Sequence, residues 1–167
     1  ILATNQRLEQ AVQERTAELQ TAMRETASAL TTQQDLVQTL NRVSSPIIPV
    51  IPGVLAMPLI GQLTAERAKF ATQELLQRIE KSRVDLVLLD LTGVPVLEPS
   101  AAQALRHTVT ASYLLGARTM LVGITPEVAQ MLVALDLDMH TIDTAADLQS
   151  AIAQVLRSRM RKAGPLG

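Results

Sequence analysis

The groups in this sequence that can carry chemistry are a few hydroxyls and carboxylates, widely scattered. Asp90 closes an apolar run and has the type of a general base or metal ligand, but no second carboxylate or histidine stands at a matching spacing. The simpler role is a strand-end carboxylate that holds loop amides. Ser100, followed by Gln103, has the pattern of a helix N-cap in a capping box. The same placement suits a phosphoacceptor, because free amides and the helix dipole accommodate a dianion. Thr64 carries both readings at the start of another helix. His107 shares a helical stretch with Leu105, Val109 and Leu114 and reads as a surface or boundary residue. His140 stands near Asp138 and Asp143 in too short a motif to mark a metal site, so neither histidine is assigned a role.

Composition removes several functional classes. There is no cysteine, which excludes disulfides, thiolate catalysis and cysteine zinc sites and fits a reducing compartment. Basic and acidic residues number 15 and 16, and no basic block exceeds the Arg157 to Lys162 stretch, so nucleic acid is not an expected partner. One Phe, one Tyr and no Trp leave little for stacking on bases or sugars. Gly93 and Gly123 stand alone, without a glycine-rich phosphate loop. No apolar run reaches the roughly 18 residues of a membrane span. With acid, base, nucleophile and metal sets all missing, an enzyme is the least favoured class, and no cofactor is expected. The chain opens on Ile1, and it is expected to be cut from a longer protein.

The elements that must position these residues fall into two parts. From Asn5 to Val43 there is neither Pro nor Gly, and strong helix formers predict one long helix. Val12, Leu19, Met23, Leu30, Val37 and Leu40 recur at steps of three, four or seven, a heptad seam diluted by Thr16, Thr26 and Gln33. So narrow a stripe needs a partner, and a rod of roughly 58 Å is too long to lie on one small domain. A coiled-coil dimer is expected. Ser44-Ser45-Pro46 ends the helix.

Two β-rich segments follow, Ile47 to Ile51 and Val54 to Ile60, joined at the turn Pro52-Gly53, with Pro49 and Pro58 marking edge or unpaired positions. A helix capped by Thr64 runs to about Lys81. Asp85 to Leu91 reads as a central strand buried on both faces. Beyond it come a helix from Ser100 to Leu115, a strand from Thr119 to Gly123, and a helix opening at Thr125-Pro126-Glu127 and running to about Leu135. A short strand is placed near His140 to Ile142, and a last helix opens at Thr144 to Asp147 and runs to about Met160. Such an order demands a largely parallel sheet covered by helices, an α/β domain. Its ligands are expected at three strand-to-helix junctions: Gly61 to Glu66, Thr92 to Ser100 and Gly123 to Glu127.

Several stretches together resemble the STAS domain of RsbR-type stressosome proteins, relatives of the anti-sigma-factor antagonists. They are Pro46-Ile47-Ile48-Pro49-Val50, Leu59-Ile60-Gly61 with Glu66-Arg67-Ala68, Asp90-Leu91-Thr92-Gly93-Val94-Pro95-Val96, Leu114-Leu115-Gly116-Ala117 and Gly123-Ile124-Thr125-Pro126-Glu127-Val128-Ala129-Gln130. The resemblance implies a cytoplasmic, non-enzymatic regulator that assembles with sister STAS proteins, binds a serine/threonine switch kinase and receives its signal through a helical linker. It covers Ser45 to about Leu156 and implies a sensory domain upstream; together with the helix end at Ser44, this divides the chain into a coiled-coil linker at 1–43, a STAS domain at 44–160 and a flexible tail at 161–167. Asp90, Thr92, Gly93 and Glu98 fall in the partner-binding loop. The family's two phosphoacceptor positions fall on Pro99 and Ala65, which leaves the neighbouring Ser100 and Thr64 as candidate acceptors, or a module that signals by shape and assembly alone. A separate reading is a small anion or nucleotide held at the helix N-termini of Thr64, Ser100 and Thr125.

Overall fold

A computed structural model describes residues 1–134 and 142–162 of the chain, and the side chains of all of these except positions 38 and 41–44. They form two compact units, Ile1–Leu40 and Asn41–Gly167. The expected long helix is present as α1, Leu2–Ser44. Threonine is a poor helix former because its hydroxyl competes for backbone partners. Here Thr16, Thr21, Thr26, Thr31, Thr32 and Thr39 each donate that hydroxyl to the carbonyl four residues back, which resolves the competition inside the helix. Val12, Leu19, Met23, Leu30 and Leu40 are all exposed on α1.

The second unit is built from β1 (Ile48–Ile51), β2 (Val54–Ile60), α2 (Ala65–Lys81), β3 (Leu86–Gly93), α3 (Pro99–Leu114), β4 (Arg118–Val122), α4 (Pro126–Ala134), β5 (Ile142–Ala145) and α5 (Leu148–Lys162). The strands lie in the order β1-β2-β3-β4-β5, with β1 antiparallel to β2 and every other pairing parallel. The β1–β2 pairing ends at Ile48↔Ala56, so Pro58 lies past the end of β1, where its missing N–H disturbs no ladder on that side.

Alternation along the strands divides the interior into two layers. Met57, Leu89, Leu91 and Leu121 face Leu75 of α2, Leu105 of α3 and Val128 of α4. Their neighbours Ala56, Leu88 and Met120 face Ala151 and Val155 of α5. The continuous apolar run of β3 follows from this double cover, and each fully buried leucine in it contributes roughly 1.5–3 kcal/mol of transfer energy.

Near the C-terminus the element boundaries differ from the sequence expectations. The last strand is Ile142–Ala145, starting where it was expected to end, and Thr144 belongs to it. Asp147 instead caps α5, accepting from the Ser150 N–H at 2.7 Å. Residues His140, Asp138 and Leu135 lie outside the described residues.

Candidate partner-binding face at the strand C-termini

The loop that leaves β3 is held by its own first residues. The Thr92 N–H donates to Asp90 Oδ1 at 2.9 Å, the loop-holding role expected of that carboxylate, and the Val94 N–H donates to the Leu91 carbonyl at 2.9 Å. Two glycines permit the path. A Cβ on Gly93 would lie 3.1 Å from the Leu59 carbonyl oxygen, and one on Gly123, whose φ is +67°, would lie 2.9 Å from both Cα and Cβ of Thr92. Neighbouring strand ends therefore approach as closely as backbones can.

The β2–α2 and β3–α3 loops are tied to one another. The Gly61 N–H donates to the Gly93 carbonyl at 2.7 Å, Leu63 and Leu97 form an isolated parallel bridge, and Gln62 Nε2 donates to Glu98 Oε1 at 3.0 Å. Arg67 reaches back from the first turn of α2 to the Ile60 carbonyl at 2.8 Å and to that of Gln62. Asp90, Thr92, Gly93 and Glu98 thus lie along one braced loop, beside the starts of α2 and α3. Gln62 had no sequence signal, since its partner lies across a second loop whose register only the fold sets, and Arg67 entered only within the stretch Glu66-Arg67-Ala68, with no sign that it ties back to its own loop. Exposed Ile60 and Val96, 58% and 57% accessible, add apolar surface that alternation alone did not flag.

The candidate hydroxyls differ in their surroundings. Thr64 caps α2 as expected, its Oγ1 accepting from the Arg67 N–H at 3.3 Å, and is partly buried. Thr125 caps α4 in the same way, accepting from the Val128 N–H at 3.3 Å. Ser100 is not an N-cap. Glu98 holds that position without a side-chain capping bond, Pro99 is the first helical residue, and Ser100 follows as an exposed residue of the first turn, so the capping box with Gln103 does not form. The reason is Pro99: its fixed φ and missing N–H suit the first helical position and move the cap one residue upstream.

At the same end of the sheet Asp147 is held below the usual carboxylate range, first by the Ser150 backbone N–H and then by the Ser150 hydroxyl. No group of three or more histidine, aspartate or glutamate side chains able to hold a metal occurs among the described residues. His107 is exposed on α3. A groove of about 420 Å³ lies along α2, between Pro46, Ile47, Phe70, Glu74 and Arg78, away from the helix N-termini proposed for an anion. No helix among the described residues is long and apolar enough to cross a membrane.

Comparison with known proteins accords with this architecture. A profile of the STAS domain matches residues 45–151. The Bacillus subtilis RsbT co-antagonist protein RsbRA is 39% identical over 128 residues, covering 77% of this chain and 47% of that protein. RsbRB of the same organism is 38% identical over 109 residues, covering 65% and 39%. The chain therefore spans about half the length of these curated relatives or less. Among solved structures, a single-substitution variant of Moorella thermoacetica RsbS superimposes with a TM-score of 0.62 at 23% identity, over 70% of this chain and 97% of that one. A chain from a structure titled as the molecular architecture of the stressosome gives 0.55 at 23%, over 68% and 98%. Sheet order, helix placement and the match over residues 45–151 agree, and the chain belongs to the STAS domain family, with relatives of the RsbR co-antagonist type.

Proposed function

We propose that this chain is the linker and STAS portion of an RsbR-type scaffold protein, acting in the cytoplasm without catalytic activity of its own. In this reading residues 1–43 pair with a second copy and residues 44–160 present a binding face to a serine/threonine switch kinase and to sister STAS proteins, while α5 runs on to Lys162, past the expected start of a tail at 161. The observation that carries it is the bracing of Gly61–Gly93, Leu63–Leu97 and Gln62–Glu98, which holds exposed Ile60 and Val96 beside the starts of α2 and α3. Exposed apolar residues on braced loops that also carry polar groups suit a protein interface. The RsbT co-antagonist identity of the relatives supports this choice of partner.

Phosphorylation falls on Ser100 in preference to Thr64. The Ser100 hydroxyl is exposed in the first turn of α3, whereas that of Thr64 is engaged in its cap. A phosphate at Ser100 would sit among first-turn amides that favour a dianion.

The test is binding of the cognate switch kinase to the parent chain and to Val96→Asp, with the fold checked by circular dichroism. The expected result is retained structure and lost binding. Equal binding by a folded Val96→Asp chain would remove the face from the reading. The anion-binding alternative calls for a rise in melting temperature with phosphate.

A further inference from the structure

The polar residues of the α1 seam are not equivalent. Thr16 Oγ1 donates to the Val12 carbonyl at 2.7 Å, and Thr26 Oγ1 donates to that of Ala22 at 2.9 Å. Each hydroxyl proton is therefore satisfied within its own helix, and neither residue demands a donor or acceptor from a partner. Gln33, in the same heptad column as Val12, Leu19, Thr26 and Leu40, has no such bond, and its amide is open to solvent. Pairing along the seam would bury a carbonyl oxygen and two N–H donors, at a cost unless a partner meets them.

From Val12 to Leu40, downstream of the seam carboxylate Glu9, the columns flanking the seam leave the choice of partner to that residue. One carries Gln13, Gln20, Ala27 and Gln34; the other carries Arg15, Ala22, Ala29 and Leu36. Their one charge, Arg15, is paired with Glu18 of its own helix at 3.0 Å. Charged flanks normally set orientation and partner in coiled coils. Here they neither oppose a second copy of this chain nor align it.

We infer that Gln33 fixes the register and the parallel sense of an α1 pair formed by two copies of this chain, an inference that rests on the pairing proposed above. In the parallel, unshifted pair the two Gln33 amides face each other and exchange hydrogen bonds. A slip of one heptad sets Gln33 against Thr26, whose proton is already committed, so the amide oxygen lacks a donor, and against Leu40 on the other side. An antiparallel pair centred on Gln33 would join only Ala22 to Ser44 and leave the first half of the helix uncovered. One polar seam residue that selects register at some expense of stability is a known use of such positions.

The chain has no cysteine, so single cysteines report the pairing cleanly. Leu19→Cys is oxidised in the parent, Gln33→Asn and Gln33→Leu backgrounds, with mass measured by light scattering. Leu19→Cys chains are also mixed with Thr26→Cys chains to detect a one-heptad slip. The parent and Gln33→Asn are expected to be dimers that form the Leu19 disulfide and no mixed one. Gln33→Leu is expected to lose at least about half of the Leu19 disulfide, gain the mixed disulfide and show mass above the dimer. A Gln33→Leu dimer with the parent's mass and disulfide pattern would overturn the role of Gln33 while leaving the pairing intact. A monomeric parent would overturn both.

Discussion

Replacing Gly123 by alanine tests whether the ends of β3 and β4 are held as closely as the geometry requires. The added Cβ would sit 2.9 Å from both Cα and Cβ of Thr92, closer than real Cβ atoms come to their neighbours, and φ at Gly123 is +67°. The left-handed conformation costs an alanine about 1–2 kcal/mol, and forcing the Thr92 backbone outward adds about 1–3 kcal/mol, so the expected loss is about 2–5 kcal/mol. Denaturant unfolding followed by circular dichroism should show a lower midpoint with an unchanged slope. Thr92 is exposed, so Thr92→Ala alone should stay within about 0.5 kcal/mol of the parent. Combined with Gly123→Ala it relieves the clash with the Thr92 hydroxyl but neither the crowding against the Thr92 backbone nor the left-handed φ, and recovers part of the loss. A Gly123→Ala chain within about 0.5 kcal/mol of the parent, or a double variant no better than the single, would refute the reasoning.

Thr72 and Thr108 join α2 to α3 through a buried contact of 2.5 Å, while each also lies within 2.8 Å of the carbonyl four residues back; two hydroxyl protons serve three contacts. Thr72→Val and Thr108→Val should each cost about 1 kcal/mol, the double variant little more than either, and additive losses in a double-mutant cycle would sink this account. Because the folded-state pKa of Asp147 is lowered, its stabilising contribution is present above the ordinary value of 3.8 and is lost as pH falls through the lower folded one. Asp147→Asn should therefore flatten the acid limb of the stability curve, as read from melting temperatures across that range, and an unaltered limb would count against the cap. Arg159 joins α5 to the Pro52 carbonyl at 2.7 Å and to Asp85 at 3.1 and 3.2 Å, but these groups are partly exposed, so Arg159→Ala should cost no more than about 1 kcal/mol by urea unfolding, less in high salt.

Local patterns in the sequence carry the frame of this fold, and pairings across loops do not. The apolar run through Leu88 and Leu89 announces a strand covered on both faces, and Thr64 and Thr125 announce their helices through cap chemistry that acts over three residues. Ser100 lies one residue past the cap that its pattern suggests, although the signal stands beside it, because Pro99 fits the first helical position better than it fits a loop. The start of α5 is ambiguous in the sequence because Thr144 and Asp147 both have capping side chains, and only the β4–β5 register, Leu121↔Thr144, assigns the first to a strand. The tie from Gln62 to Glu98 spans 36 residues and depends on how two loops meet above adjacent strands, which no spacing along the chain reports.

The placement of Ser100 bears directly on how this chain would be read by a kinase shaped for its relatives. In the resemblance to the RsbR-type proteins the acceptor hydroxyl belongs at position 99, here a proline at the first helical position. A shift of one residue along a helix turns the side chain by about 100° and advances it about 1.5 Å. A displacement of only about 1 Å from the productive geometry is worth about 100-fold in rate, and the turn carries the hydroxyl further than that, so Ser100 should be phosphorylated by such a kinase at least about 100-fold more slowly than a hydroxyl at position 99. Pro99→Ser supplies that hydroxyl and, being exposed, disturbs little of the core. Initial phosphorylation rates of the parent, of Ser100→Ala, of Pro99→Ser and of Pro99→Ser/Ser100→Ala separate the two sites. Fast modification of both Pro99→Ser variants beside a slow parent would mean that this chain has set aside the phosphate switch and signals through assembly. A parent as fast as Pro99→Ser, with its rate abolished by Ser100→Ala, would mean that the kinase face has moved with Ser100 and that the switch is intact.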